Sequence, residues 1–153
     1  MHQLITGQTR LPGFEEKWEV TTMRSLGNTY GGLIGKTKSD FGHGTARYIP
    51  FVNVMKGTII DIDSLAPVDV ATNEVQNMAK KDDLFFNGSS ETPEEVGFCS
   101  VLLHDVPNLY LNSFCFGFRF NANAKANGLF LAYWFRSTKG REAMAALAQG
   151  ATL

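Results

Sequence analysis

Cysteine is scarce in this chain. There are two in 153 residues, Cys99 and Cys115, each inside an apolar run. Two thiols so placed supply neither a disulfide framework nor the clustered ligands of a zinc site. They read as buried, reduced thiols. The three histidines, His2, His43 and His104, stand alone. None has a second His or Cys at the spacing that brings metal ligands together. Long apolar runs are missing too: none approaches the roughly 20 residues of a membrane-spanning helix. The opening MHQLITGQTR lacks a secretory apolar core. The expectation is a soluble, cytoplasmic chain with no membrane partner. The formal net charge is only −1, so nothing draws the whole molecule to nucleic acid or to an anionic membrane. DNA binding would need a local basic patch or a partner that supplies charge.

What is abundant points to strands and turns. The chain carries 12 Phe and 15 Gly, with 44% apolar and 19% charged residues. That is an ordinary globular balance in a length suited to one domain with a real core. Aromatic side chains belong on sheet faces and glycines in turns. DLFFN (83–87) and VGFCSVLL (96–103) read as strands, and so do YIPFVNVM (48–55) and TIIDID (58–63), joined as a hairpin at Lys56-Gly57. YLNSFCFGFRF (110–120) alternates, with its Phe side facing the core. Residues 18–27 form a short strand or an irregular lead-in. Residues 65–83 hold a short helix near 73–80. LFLAYWFRSTKGREAMAALAQG, from residue 129, changes character. It reads as two helices split at Lys139-Gly140, with Ser137 or Thr138 as N-cap of the second.

Two stretches carry candidate chemistry. Residues 31–47, GGLIGKTKSDFGHGTAR, form a long polar loop with five glycines and the basic residues Lys36, Lys38, His43 and Arg47. Gly35-Lys36-Thr37 invites comparison with a phosphate-binding loop, but Gly31 is one residue too close and position 30 is Tyr. A glycine-rich surface loop, or one that touches phosphates through backbone N–H groups and Lys, fits better. The second stretch is NGSSETPEEVG (87–97). Its Thr92-Pro93-Glu94-Glu95 resembles a helix start, with acids well placed at the dipole. That leaves Asn87, Ser89, Ser90, Glu91 and Thr92, whose side chains donate and accept as base edges require. Ser89 and Ser90 lack the sequence of a nucleophile elbow. Asp61 and Asp63 share one face of the expected strand. With Glu91 they offer an alternative reading, a small metal-dependent nuclease or hydrolase, though a solvated strand face explains them more simply. A third reading is a module that binds only protein through its C-terminal helices.

LITGQTRLPGF with Trp18, YGGLIGKTKSDFGHGTARYIPFVNV, DLFFNGSSETPEEVG and FRSTKGREAMAALAQGAT, in this order, span nearly the whole chain. Together they resemble a target-recognition domain of the specificity subunit of type I restriction-modification systems, which serve in host defence. The resemblance implies a non-catalytic protein that reads one half of a bipartite site in double-stranded DNA. It would bind no cofactor itself. Its partners would be methyltransferase (modification) subunits and a motor-nuclease (restriction) subunit, which use S-adenosylmethionine, ATP and Mg. Lys36, Lys38 and Arg47 would contact phosphate or guanine. Thr37, Ser39, Asn87, Ser89, Ser90, Glu91 and Thr92 would make polar contacts. Residues 1–17 resemble a linker from the end of a spacer helix, and 18–153 a recognition domain that stops before the next spacer. On this resemblance the expectation is a gene fragment, an excised piece, or a half-subunit that works by pairing with a second recognition domain. The expected fold is α+β: a mixed, mainly antiparallel twisted sheet with long DNA-facing loops and short C-terminal helices.

Overall fold

The structure is a computed structural model that describes residues 20–88 and 93–151. In chain order the elements are α1 (Met23–Leu26), β1 (Gly27–Gly31), β2 (Phe41–Ile49), α2 (Phe51–Lys56), β3 (Ala66–Val68), β4 (Leu84–Asn87), β5 (Cys99–Val101), β6 (Leu109–Leu111), β7 (Cys115–Phe120), α3 (Gly128–Arg136) and α4 (Thr138–Ala151). Single 3-10 turns occupy Lys38–Asp40, Ile62–Ser64 and Pro93–Glu95. The fold is α+β with mainly antiparallel sheets, as expected. The linker and spacer readings at 1–17, and Trp18, lie outside the described residues. Among the described residues no helix is long and apolar enough to cross a membrane.

The main sheet runs β1-β7-β4-β5 and is antiparallel throughout. Period-two alternation gives it two apolar faces. Phe116, Phe118 and Phe120 join Leu84, Phe86, Cys99 and Val101 on one face, beneath Ala132 and Phe135 of α3 and Met144 of α4. Phe85 and Cys115 point the other way, into a cluster with Ile49, Val54, Ile60, Leu102, Leu109 and Leu111. All four residues of β4 are consequently buried. A second sheet, β3-β2-β6, lies on that other side; β2 is antiparallel to β3 and parallel to β6. Both cysteines are buried and free, and burial pushes the Cys115 thiol up to about 11.

Several local expectations are corrected. The segment 48–55 is not one strand. Pro50 has no N–H to continue the ladder, and Phe51–Lys56 coils into α2 with Asn53 and Val54 buried. Asn53 holds the returning chain: its Nδ2 donates to the Asp61 carbonyl at 2.9 Å and its Oδ1 accepts from Asp61 N at 3.0 Å. No hairpin forms at Lys56-Gly57. Residues 58–60 instead run beside β5, with a lone parallel bridge at Ile59. The second half of the 31–47 loop is strand β2. Residues 73–80 form no helix; Met78 bridges Tyr110 there. The alternating 110–120 stretch is two strands, and Phe114, in the turn between them, is 69% exposed. Pro93–Glu95 makes one 3-10 turn rather than a helix.

The C-terminal segment does form two helices, but the break falls at Ser137. Ser137 caps α4 as expected, its Oγ accepting from Gly140 N at 3.3 Å. Gly140 fits there because its Cα lies against backbone; a Cβ would meet the Trp134 carbonyl oxygen at 2.2 Å.

Candidate nucleic-acid interface

Register brings the two candidate stretches to one end of the main sheet. Gly31, the last residue of β1, pairs with Phe116, and Asn87, the last of β4, pairs with Cys115. The strands flank β7 on either side, so the chain leaves both from the end where β7 begins.

The first stretch is braced from below. Lys36 is turned inward: its Nζ meets Glu74 Oε1 at 2.5 Å and its side chain is 7% exposed. Glu74 also accepts from Ala71 N and Gln76 Nε2. With the Lys36 bond as the largest cause, the Glu74 carboxyl falls from 4.5 to about 2. Gln76 grips Ile34 twice, accepting from its N at 3.1 Å and donating to its O at 2.9 Å. Asp40 then fixes the following turn, accepting from Thr37 N at 2.8 Å and Thr37 Oγ1 at 3.1 Å. The Thr37 backbone bond is the chief reason the Asp40 carboxyl is lowered. Asp69 N donates to the Asp40 carbonyl at 2.8 Å, which ties the turn to the end of β3.

On this base Thr37, Lys38 and Ser39 are exposed; Arg47 is exposed farther along β2, opposite Pro67 and Leu109. Lys36 is not among them. Its ammonium is held by Glu74, so it supports the segment from within. Sequence reasoning missed this because Glu74 lies 38 residues away.

Glu74 predicts a pH dependence. Its folded-state value lies below the ordinary one, so its contribution is complete above about 4.5 and is lost as pH falls toward about 2. Hydrogen exchange at the Ile34 amide, corrected for intrinsic rate, should accelerate across that window. In Glu74→Gln it should already be fast at neutral pH.

The second stretch has a locked stem. Asn87 is 1% exposed. Its Nδ2 donates to the Glu95 carbonyl at 2.5 Å and its Oδ1 accepts from Phe98 N at 2.7 Å. Both ends of the amide are bonded within the protein, so Asn87 shapes the loop from its stem. Its place is the buried end of β4 and not the loop tip where the sequence had put it. Ser89, Ser90, Glu91 and Thr92 lie outside the described residues.

The stem is also held from the C-terminal helices. Arg141 Nη2 donates to the carbonyls of Glu94, at 2.7 Å, and Val96. The guanidinium carbons of Arg141 and Arg136 lie 4.2 and 5.2 Å from the centre of the Phe98 ring. Met144 abuts Gly97, whose φ is +74°. Nothing in the sequence spacing signals this clamp, because its partners are backbone carbonyls.

Asp61 and Asp63 do not share a strand face. Asp61 caps the Ile62–Ser64 turn, accepting from Asp63 N at 3.0 Å and Ser64 Oγ at 2.8 Å, with Lys56 Nζ at 3.0 Å. These bonds, Ser64 first, hold its carboxyl below the usual range. Among the described residues no three His, Cys, Asp or Glu side chains gather as metal ligands would. No protein-family model matches this sequence, and no curated protein matches it.

Proposed function

We propose that this chain reads DNA sequence without catalysing a reaction, as a half-site recognition domain of a type I restriction-modification specificity subunit. One observation carries most weight: both polar stretches leave the same end of one sheet, and each rests on a fixed base. Lys38 and Arg47 supply charge for phosphate or guanine, and Thr37 and Ser39, whose hydroxyls bond each other at 2.8 Å, supply acceptor oxygens. Methyltransferase and motor-nuclease subunits would add the remaining phosphate contacts, with their own S-adenosylmethionine, ATP and Mg. The near-neutral charge suits such a shared interface. The nuclease alternative gains no support, because Asp61 is occupied in a turn cap.

The test is selection from a randomised duplex pool by the chain together with the methyltransferase subunit of its own locus. A specific, salt-dependent site is expected, and a pool that returns unenriched overturns the reading. Lys38→Ala should weaken binding evenly across sequences and reduce the salt slope by about one. Arg47→Ala should do the same if it meets phosphate. If it reads guanine, preference at one position should relax by about 1–3 kcal/mol.

A further inference from the structure

The strand β2 interrupts its pairing with β3 in an unusual way. Phe41 and Ala46 both stand opposite Val68, so residues 42–45 are looped out between them. Gly42 and Gly44 make this possible, with φ of +89° and +105°. At Gly44 the backbones touch: a Cβ would meet the Val68 carbonyl oxygen at 2.4 Å. Only glycine tolerates that position. Between the two lies His43, exposed, with Nε2 at 2.6 Å from the carbonyl oxygen of Ser39.

A carbonyl oxygen only accepts, so Nε2 carries the hydrogen of this bond. In the neutral ring the other nitrogen, Nδ1, is then a bare acceptor. It takes no hydrogen bond among the described residues. The imidazole is thereby fixed in tautomer and tethered beside the exposed Lys38 and Ser39. An acceptor held in this way complements a donor. In the major groove the donors are the exocyclic amines, N6 of adenine and N4 of cytosine; guanine N7 and O6 and thymine O4 are acceptors.

We infer that His43 is a base-reading residue whose Nδ1 accepts a hydrogen bond from the exocyclic amine of an adenine or a cytosine. This rests on the DNA-recognition reading above, and names the base chemistry that the first stretch selects. The Gly42 and Gly44 conformations are what bring the ring out of the β2–β3 ladder.

The test uses the duplex selected by the wild-type chain and its methyltransferase subunit, at about pH 8, where an imidazole is ordinarily neutral. Each adenine and cytosine of the site is replaced in turn by its analogue lacking the exocyclic amine. At one position the wild type should lose about five- to tenfold in affinity, and His43→Ala should lose nothing further there. An adenine at that position identifies N6 as the donor, and a cytosine identifies N4. His43→Gln, whose amide can donate to Ser39 and still offer an oxygen, should restore part of the discrimination. A tether with no reading role would instead lower affinity evenly for every duplex. If the analogue penalties in His43→Ala equal those of the wild type at all positions, the inference is overturned while DNA reading stands. If the wild type enriches no duplex, both fall.

Discussion

Replacing Arg119 by Met is expected to cost about 3–5 kcal/mol of stability, among the largest effects of any single change in the chain. Arg119 on β7 grips Asp83, at the head of β4, with two bonds: Nε to Oδ1 at 3.1 Å and Nη2 to Oδ2 at 2.7 Å. The same carboxylate accepts from Tyr30 Oη on β1 at 2.5 Å and from Lys80 N at 2.9 Å. Arg119 also donates to the Met78 carbonyl at 2.7 Å and lies over the Tyr30 ring, 4.8 Å from its centre. Burial, then the charge of Asp83, raises the Tyr30 phenol well above its ordinary value, so it serves as a donor.

The two halves of this pair are not equivalent. The Asp83 side chain is 2% exposed and that of Arg119 is 39% exposed. Removing Arg119 leaves a buried carboxylate with no cation and only Tyr30 Oη and Lys80 N as donors, whereas in Asp83→Asn the half-exposed guanidinium can still be hydrated. Asp83→Asn should therefore cost less, about 2–3 kcal/mol, and Tyr30→Phe about 1.5–3 kcal/mol. Urea denaturation checks the order. The midpoint should fall most for Arg119→Met, with the slope unchanged if the native surface is preserved. Equal losses for Arg119→Met and Asp83→Asn would refute the argument from exposure.

This cluster also shows where sequence reading succeeds and where it stops. The strands at 83–87 and 96–103 are legible as short apolar runs buried on both faces, with Phe85 and Phe86 serving opposite layers, and the 110–120 stretch is legible through its alternation, though not its division at Asn112–Phe114. The break between α3 and α4 is legible through its serine cap, within two residues. The segments 48–63 and 65–83 mislead for one physical reason. Their conformation is set by a side chain reaching across to another stretch of backbone. Pro50 ends the strand and Asn53 pins α2 to the returning chain at Asp61, and Gln76 and Glu74 hold the turn and coil of 71–77 against Ile34 and Lys36. The same limit governs the candidate site. Exposed Lys38, Ser39 and Arg47 follow from polarity and glycine content. That Lys36 and Asn87 turn inward follows only from partners 38 and 8 residues away. His43 had a visible signal, two flanking glycines, but its tether to Ser39 did not.

Arg136→Met is the second large loss, about 3 kcal/mol, and it arises from backbone carbonyls alone. Arg136, the last residue of α3, donates from Nε to the Cys99 carbonyl at 2.5 Å, from Nη2 to Val54 O at 2.6 Å and from Nη1 to Met55 O at 3.3 Å. The carbonyls of Val54 and Met55 belong to the last turn of α2, which has no intrahelical partners to offer them. A helix C-terminus carries partial negative charge, so a cation there is doubly favoured. The guanidinium accepts a cost for this position: burial lowers its affinity for the proton. Methionine keeps the stem and removes the fork, leaving three carbonyls without this donor at about 1 kcal/mol each. Lys carries the charge but presents it as a point, so it cannot span α2 and β5 together. Arg136→Lys should recover less than half of the loss. Thermal or urea denaturation of the three proteins measures this directly. Full recovery by Lys would mean that charge at the end of α2, and not the fork that joins α2, β5 and α3, is what matters.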